Sequence, residues 1–226
     1  MRGKLIVIEG TDCSGKETQC KLLLKRLKND GVDAFTMPFP RYDTPTGRII
    51  GGPFLGKPSI CESYFGDEAS TVNSEVASLY YAADRLYNIN PIIENLNNGV
   101  NVILDRYTTS NMAFQGGKMK SDSERMRVFK FIETLEYDLL KLPKPDAVVF
   151  LHMPYEQACI LKAKRVEVPD VVESSEDYLR QGENAYLELA KLYGFQTIKC
   201  VKDGKIREIE DINDELYEKV KMIING

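Results

Sequence analysis

Short apolar runs alternate with longer amphipathic stretches along this chain. Leu5-Ile6-Val7-Ile8 is uninterrupted by polar residues and is ended by Glu9 and Gly10, which predicts a buried strand. From about Lys16 to Asn29 the spacing is helical, with Leu22, Leu23 and Leu27 on one side. Ala34 to Phe39 predicts a second strand, stopped by Pro38 and Pro40. Val102 to Leu104 follows Asn98-Gly99 as a third strand, and Ala147 to Met153 follows Pro143 and Pro145 as a fourth. Phe195 to Val201 predicts a fifth strand, and Ile209 to Ile224 a closing helix. Strands separated by helices imply a parallel sheet with helices on both faces. Val166 to Ser175 has no clear period. It holds Pro169 and several acids, is approached by Lys162, Lys164 and Arg165, and reads as a mobile loop between two helices.

Such sheets bind ligands at the carboxyl ends of their strands. Three polar motifs fall there. The first is Gly10-Thr11-Asp12-Cys13-Ser14-Gly15-Lys16-Glu17-Thr18, between a strand and a helix as a phosphate-binding loop requires. Its glycines let backbone N–H groups turn inward, the helix N-terminus adds partial positive charge, and Lys16 is placed to bridge outer phosphates. The strict pattern has Ser or Thr directly after the lysine, where this chain has Glu17. Thr18 follows, a Gly-Lys-x-Thr form found in nucleoside monophosphate kinases. Glu17 removes a usual hydroxyl ligand of magnesium or, alternatively, serves the helix N-terminus electrostatically. Cys13 reads as a small loop filler.

The second motif, Pro40-Arg41-Tyr42, follows strand two. The third, Asp105-Arg106-Tyr107, follows strand three. There a carboxylate can reach a metal or its waters, and an arginine can pair with phosphate oxygens in a bidentate way. In the helix around Val76 to Asn88, one apolar stripe is Val76, Leu79, Tyr80 and Ala83. Tyr81, Arg85 and Asn88 share another face. Tyr81 can stack on a base while Arg85 bonds its edge, or the pair can be a Tyr over core and an Arg in solvent. Asn111 suits either a pyrimidine N3–H and carbonyl or a helix cap. His152 reads as structural.

Composition narrows the class further. The chain has 226 residues, 43% hydrophobic and 28% charged, which fits one domain with an inserted lid and a full core. Thirty Lys+Arg against 34 Asp+Glu give a net charge of -4, which argues against a nucleic-acid coat. Five scattered cysteines without a CxxC pair, and a single histidine, make no zinc site and fit a reducing compartment. The longest apolar runs are too short for a membrane span, and the N-terminal run ends too early for a signal peptide, so the cytoplasm is the expected location.

Taken together, from Leu5 to about Tyr193, the chain resembles the thymidylate (dTMP) kinase family. The resemblance is carried by Gly-x-Asp-x-x-Gly-Lys-x-Thr at 10–18, Phe-Pro-Arg-Tyr at 39–42, Tyr-x-Ala-Asp-Arg at 81–85 and Asp-Arg-Tyr-x-x-Ser-Asn at 105–111. Pro145-Asp146 and Asp170-x-x-Glu173 also fit. It implies a three-layer P-loop kinase fold with a five-stranded parallel sheet, one domain over 1–226, and a mobile lid at about 162–175. It also implies ATP-dependent, magnesium-assisted phosphorylation of dTMP to dTDP by a homodimer.

The resemblance distributes roles as follows. ATP would sit on Gly10, Cys13, Ser14, Gly15, Lys16, Glu17 and Thr18. Asp12 would lie between the two substrates, near the sugar 3′-hydroxyl and the acceptor phosphate. Tyr42 and Arg106, with the backbone of Phe39, would hold the dTMP phosphate, and Ser110 would belong to the same pocket. Tyr81 would stack on thymine, with Arg85 and Asn111 reading its edge. Phe114 would pack under the deoxyribose and exclude a 2′-hydroxyl. Asp105 and Glu173 would serve the metal, Asp170 the sugar, and Arg165 or Lys164 would supply the lid cation. The P-loop itself has no arginine, a departure from some family members.

Two other functions share a phosphate-binding loop. A deoxynucleoside kinase would need a carboxylate base just after strand two, where Phe39-Pro40-Arg41-Tyr42 stands. A GTPase-like switch would need an Asn-Lys-x-Asp guanine reader, and the sequence has none.

Overall fold

The computed structural model describes residues 2–163 and 175–226. Five parallel strands form its sheet: β1 (Leu5–Gly10), β2 (Ala34–Pro38), β3 (Asn101–Asp105), β4 (Ala147–His152) and β5 (Gln196–Lys199). Their order is β2-β3-β1-β4-β5, with Ile6 opposite Ile103 on one side and Ala147 on the other. β1 is therefore central and buried on both faces, which is why it reads as a continuous apolar run rather than an alternation.

The helices are α1 (Lys16–Asn29), α2 (Pro45–Ile49), α3 (Ser74–Tyr87), α4 (Asn90–Asn97), α5 (Thr108–Gly117), α6 (Asp122–Glu133), α7 (Tyr155–Lys162), α8 (Glu176–Tyr193) and α9 (Ile209–Asn225). Alternate side chains of β1 go to opposite faces. Ile6 and Ile8 pack with Leu23 and Leu27 of α1 and Leu216 and Val220 of α9. Leu5 and Val7 pack with Ile92 and Leu96 of α4. Further along that second face, Phe150 of β4 receives Met112 of α5, Phe129 of α6 and Tyr186 of α8. This is the three-layer arrangement that the strand–helix alternation implies.

Three local expectations are corrected. The fifth strand is shorter than Phe195 to Val201. It ends at Lys199, and Val201–Lys202 (β6) instead forms a small antiparallel ribbon with Lys205–Ile206 (β7). The apolar stripe of α3 points outward. Val76 and Leu79 are 43% and 51% exposed, and of the four stripe residues Tyr80 packs inward, against Phe54 and Phe65. The inward face of α3 mixes small residues, Ala77 and Ala82, with Ser74, Ser78, Asp84 and Arg85, and the polar ones are satisfied inside the protein: Ser74 by the Gln115 carbonyl, Asp84 by Arg41 N and Thr46, and Arg85 by Glu136. Asn111 is not a cap, since it lies inside α5.

Between β2 and α3 the sequence pattern assigns no element. The chain there forms α2, a π-helical turn at Ile50–Phe54 and a 3₁₀ turn at Gly66–Thr71. Asp84 holds this excursion by accepting from Arg41 N (2.9 Å) and Thr46 Oγ1 (2.8 Å).

Candidate active site

A cleft of about 740 Å³ opens at the carboxyl ends of β1, β2 and β3. Its first wall is the loop from Gly10 to Lys16. A Cβ on Gly10 would lie 2.5 Å from Ser14 Oγ and 2.8 Å from the Leu151 carbonyl, so only glycine lets the loop turn there. Gly15, at φ +78°, feeds the backbone into α1. Lys16 is buried, and its Nζ donates to the Thr11 carbonyl (2.8 Å) and Ser14 Oγ (3.3 Å), both within the loop. Burial, then the charge of Arg106, lowers its pKa to about 8. Asp105, Asp12 and Glu9 offset this only in part, and a polyphosphate would supply the remaining countercharge.

The middle of the cleft is built on β3. Arg106 has φ +67°, a left-handed backbone that costs on the order of 1–3 kcal/mol in a residue with a side chain. It is offset by a well-anchored guanidinium: Nη2 donates to Asp12 Oδ1 (2.5 Å), and Nη1 to Tyr186 OH (3.2 Å) and Ser110 Oγ (3.3 Å). Burial opposes its charge, but Tyr186, Asp12, Glu9 and Asp105 outweigh that and raise its pKa. Beneath it, the fully buried Glu9 accepts from Tyr107 N, Thr109 Oγ1, Ser110 Oγ and Tyr186 OH, at 2.6–3.1 Å. Glu9 thus ties the start of α5 and the middle of α8 to the end of β1.

The far end of the cleft combines aromatic side chains, Tyr81, Phe114 and Tyr178, with Arg85 and Asn111. Tyr81 meets Phe54 edge-on, with ring centroids 6.0 Å apart. Phe114 stacks on Tyr178 at 5.5 Å, stands edge-on to Tyr186 at 5.8 Å, and has the Arg106 guanidinium over its ring at 5.4 Å. Gly182 makes room for it, since a Cβ there would sit 3.0 Å from the Phe114 ring. Arg85 is buried against Glu136, with Nε to Oε2 at 2.5 Å and Nη2 to Oε1 at 2.6 Å. Burial works against the Arg85 charge, and Glu136 more than restores it.

The sequence-named residues therefore separate into three groups. Asp12, Cys13, Gly15, Lys16, Glu17, Thr18, Phe39, Tyr42, Tyr81, Arg85, Asp105, Arg106, Ser110, Asn111 and Phe114 all line this one cleft. Gly10 and Ser14 are buried behind the loop and shape it. Lys164, Arg165, Asp170 and Glu173 lie outside the described residues. His152 bonds Glu183 (2.8 Å), a structural contact.

Sequence reasoning missed Glu9, Gln115, Glu136, Tyr178 and Tyr186. Glu9 had a signal, an acid closing an otherwise apolar strand. Gln115 lines the cleft with a buried, unpartnered Oε1 and stands within the Asn111–Gly117 stretch.

Among the described residues there is no ready cluster of three metal-ligating side chains. Asp105 nevertheless suits a hard cation. Its carboxylate faces the cleft, and burial raises its pKa against the opposing pull of Lys16 and Arg106. It is an oxygen donor whose charge the protein compensates only in part.

A glycine-lined loop between a central strand and a helix, a buried lysine at its end, and a second arginine-lined compartment define a P-loop kinase of small phosphorylated acceptors. The thymidylate kinase family model matches residues 8–212. The chain belongs to the thymidylate kinase family. Thymidylate kinase of Schizosaccharomyces pombe is 29% identical over 227 residues, covering 98% of this chain and 93% of its own. The probable thymidylate kinase of Methanocaldococcus jannaschii is 32% identical over 218 residues, 96% of each chain. The solved structure of thymidylate kinase from Candida albicans has a TM-score of 0.72 at 25% identity, covering 98% of this chain and 92% of that one.

Proposed function

We propose that this protein transfers the γ-phosphoryl group of ATP to dTMP, yielding dTDP and ADP. The observation that carries the reading is the position of the Arg106–Asp12 pair. It lies between a loop built for a polyphosphate and a compartment lined by Tyr81, Arg85, Asn111 and Phe114. ATP fits the loop, with Lys16 and Thr18 on its phosphates. The acceptor phosphate fits beside Arg106 and Tyr42. An oxygen of dTMP then attacks the γ-phosphorus as the bond to the β–γ bridging oxygen breaks, and ADP leaves with that electron pair. The attacking group is already an oxyanion at neutral pH, so positioning and charge neutralisation suffice and no strong base is required. Asp12 orients Arg106 and reaches toward the sugar.

Asp105 and the Thr18 hydroxyl are the described residues suited to hold magnesium or its waters. Bound there, the ion supplies charge neutralisation to the phosphates. Glu173 as a further metal contact, Asp170 on the sugar and Arg165 or Lys164 as lid cation belong to the same proposal. So does a single catalytic unit over 1–226 with its lid at about 162–175.

A homodimer is supported by the outward stripe of α3, where Val76, Leu79, Ala83 and Leu86 recur at helical spacing on an exposed face. The cytoplasm is supported by five free cysteines. No described helix is long and apolar enough to cross a membrane.

The test is ADP release from ATP and magnesium, with dTMP, dCMP, dGMP, UMP and thymidine offered separately. Strong preference for dTMP is expected. Turnover of thymidine but not dTMP, or ADP release independent of acceptor, defeats the proposal.

A further inference from the structure

Glu136 is fully buried, does not line the cleft, and lies in a π-helical turn at Thr134–Leu139. Its two oxygens accept from four side-chain donors: Arg85 Nε (2.5 Å), Arg85 Nη2 (2.6 Å), Thr108 Oγ1 (2.8 Å) and Asn111 Nδ2 (3.1 Å). Arg85 and Asn111 are the two polar groups placed to meet a base edge. We infer that Glu136 is a positioning residue that fixes which of them donates and which accepts, and so selects a 4-oxopyrimidine over a 4-aminopyrimidine. The inference rests on the reading of this compartment as the dTMP base pocket.

The Asn111 amide has a fixed orientation. Its NH₂ end faces the Glu136 carboxylate and, at 3.4 Å, the Ser78 carbonyl. Both are acceptors. Turning the amide over would set Oδ1 against two other oxygens, so the orientation is held. Asn111 Oδ1 is consequently the free end of the amide, buried and without a partner, in a residue that lines the cleft. A buried acceptor in that condition is costly until an N–H reaches it. Arg85 is fixed in the complementary sense. Glu136 takes two of its five N–H groups and the Tyr107 carbonyl a third (3.4 Å). The guanidinium can present only donors to a ligand.

The Glu136-held pair therefore has one free acceptor, on Asn111, and only donors on Arg85. A thymine or uracil edge, N3–H next to C4=O, matches both. A cytosine edge, with N3 as acceptor and a 4-amino donor, mismatches both. An arginine alone would reject only half of that edge. The carboxylate makes the rejection complete by preventing the asparagine from adapting.

The test compares dTMP, dUMP and 5-methyl-dCMP as acceptors. The last has the shape and methyl group of dTMP but the reversed edge. Failure of the wild-type enzyme to phosphorylate dTMP would defeat the functional reading itself. Given that turnover, kcat/KM for 5-methyl-dCMP is expected at least about a hundredfold below dTMP, since a site built on buried polar groups punishes a mismatch. In Glu136→Gln, an amide NH₂ at this position can donate to Asn111 Oδ1, so only the Ser78 carbonyl still opposes the turned-over amide, and both orientations of Asn111 become populated. The dTMP to 5-methyl-dCMP preference should shrink at least about tenfold, mainly through KM for the acceptor. The dTMP to dUMP ratio and the KM for ATP should stay unchanged, and Glu136→Asp should restore part of the preference. Equal losses on every acceptor, or an unaltered preference, overturn the inference. A second measurement needs no variant. In ¹⁵N spectra of the wild-type protein, the Arg85 Nε–H and Asn111 side-chain NH₂ signals should be protected from exchange both before and after dTMP is added. Loss of that protection on binding would mean that Glu136 releases its partners, and overturns the assignment.

Discussion

The two ends of the cleft treat positive charge in opposite ways. At the phosphate end Lys16 is buried near Arg106, which lowers its pKa to about 8 against the partial compensation of Asp105, Asp12 and Glu9. At the base end Arg85 is closed on Glu136, with side chains 3% and 0% exposed, so its charge is neutralised inside the protein. The first end keeps a buried lysine that no carboxylate among the described residues closes off, while the second offers only a direction of hydrogen bonds. This division suits the proposed chemistry, because a transferring phosphoryl group needs charge stabilised and a base edge needs a pattern matched.

The largest effect expected from this contrast is on activity at the phosphate end. Lys16→Met should lower dTMP-dependent ADP release by about a thousandfold or more. The same change should not destabilise the nucleotide-free protein at pH 7, because it removes a charge that burial disfavours. The sign follows from linkage. The folded pKa of about 8 lies below that of a free lysine, so between them the unfolded chain holds the proton more tightly and wild-type stability rises with pH. The stability gap between Lys16→Met and wild type should therefore narrow from pH 8 toward 10.5, measured by urea unfolding.

At the base end the order is reversed, with stability the main casualty. Glu136→Leu leaves a buried guanidinium without its partner and should cost about 3–5 kcal/mol in urea unfolding. Adding Arg85→Met should recover most of that loss while leaving the base unread. A Glu136→Leu protein as stable as wild type would erase the distinction between the two ends.

Smaller effects sharpen it. ATP affinity of the wild-type protein should weaken above about pH 8, by up to about tenfold per unit, as Lys16 loses its proton. A nucleotide-displacement titration that stays flat to pH 9.5 would show that the lysine keeps its charge. Smallest is Gly182→Ala, whose methyl would press on the Phe114 ring at 3.0 Å. A few-fold rise in the KM for dTMP is expected, with weaker discrimination against the matching ribonucleotide and KM for ATP unmoved.

How far these ends could be read in the sequence differs for physical reasons. The phosphate end is local. Gly10 to Thr18 must be contiguous because one loop wraps one polyphosphate, and Asp105-Arg106 follows because a strand delivers it. Tyr81 and Arg85, and Asn111 and Phe114, are spaced by helical turns, and the family resemblance grouped the four, which share the cleft. Glu136 was not. In Thr134-Leu135-Glu136-Tyr137 it looks like any polar residue on a helix, and its partner Arg85 is 51 residues away. The π-helical turn that aims it inward has no clear sequence signature. The outward stripe of α3 misleads for a related reason. Apolar spacing identifies a face of a helix but does not say whether core or another surface covers it. The five strands were visible as apolar runs, while the end of the fifth was lost because the β6–β7 ribbon continues it without a break in composition.

Helix α8 carries one further consequence, for anyone exchanging segments between relatives. Ser175, which caps it, adjoins the candidate lid in sequence. Tyr178, Gly182 and Tyr186 then recur every four residues, touching in turn the Phe114 face, the Phe114 edge and the Arg106–Glu9 network. The helix behaves as an indexing rod with three teeth. A single residue inserted between the first and the last would turn one by about 100° relative to the other and advance it by about 1.5 Å, so the teeth could not all engage. A chimera that borrows a lid should therefore be joined before Ser175, where added length leaves the index unchanged.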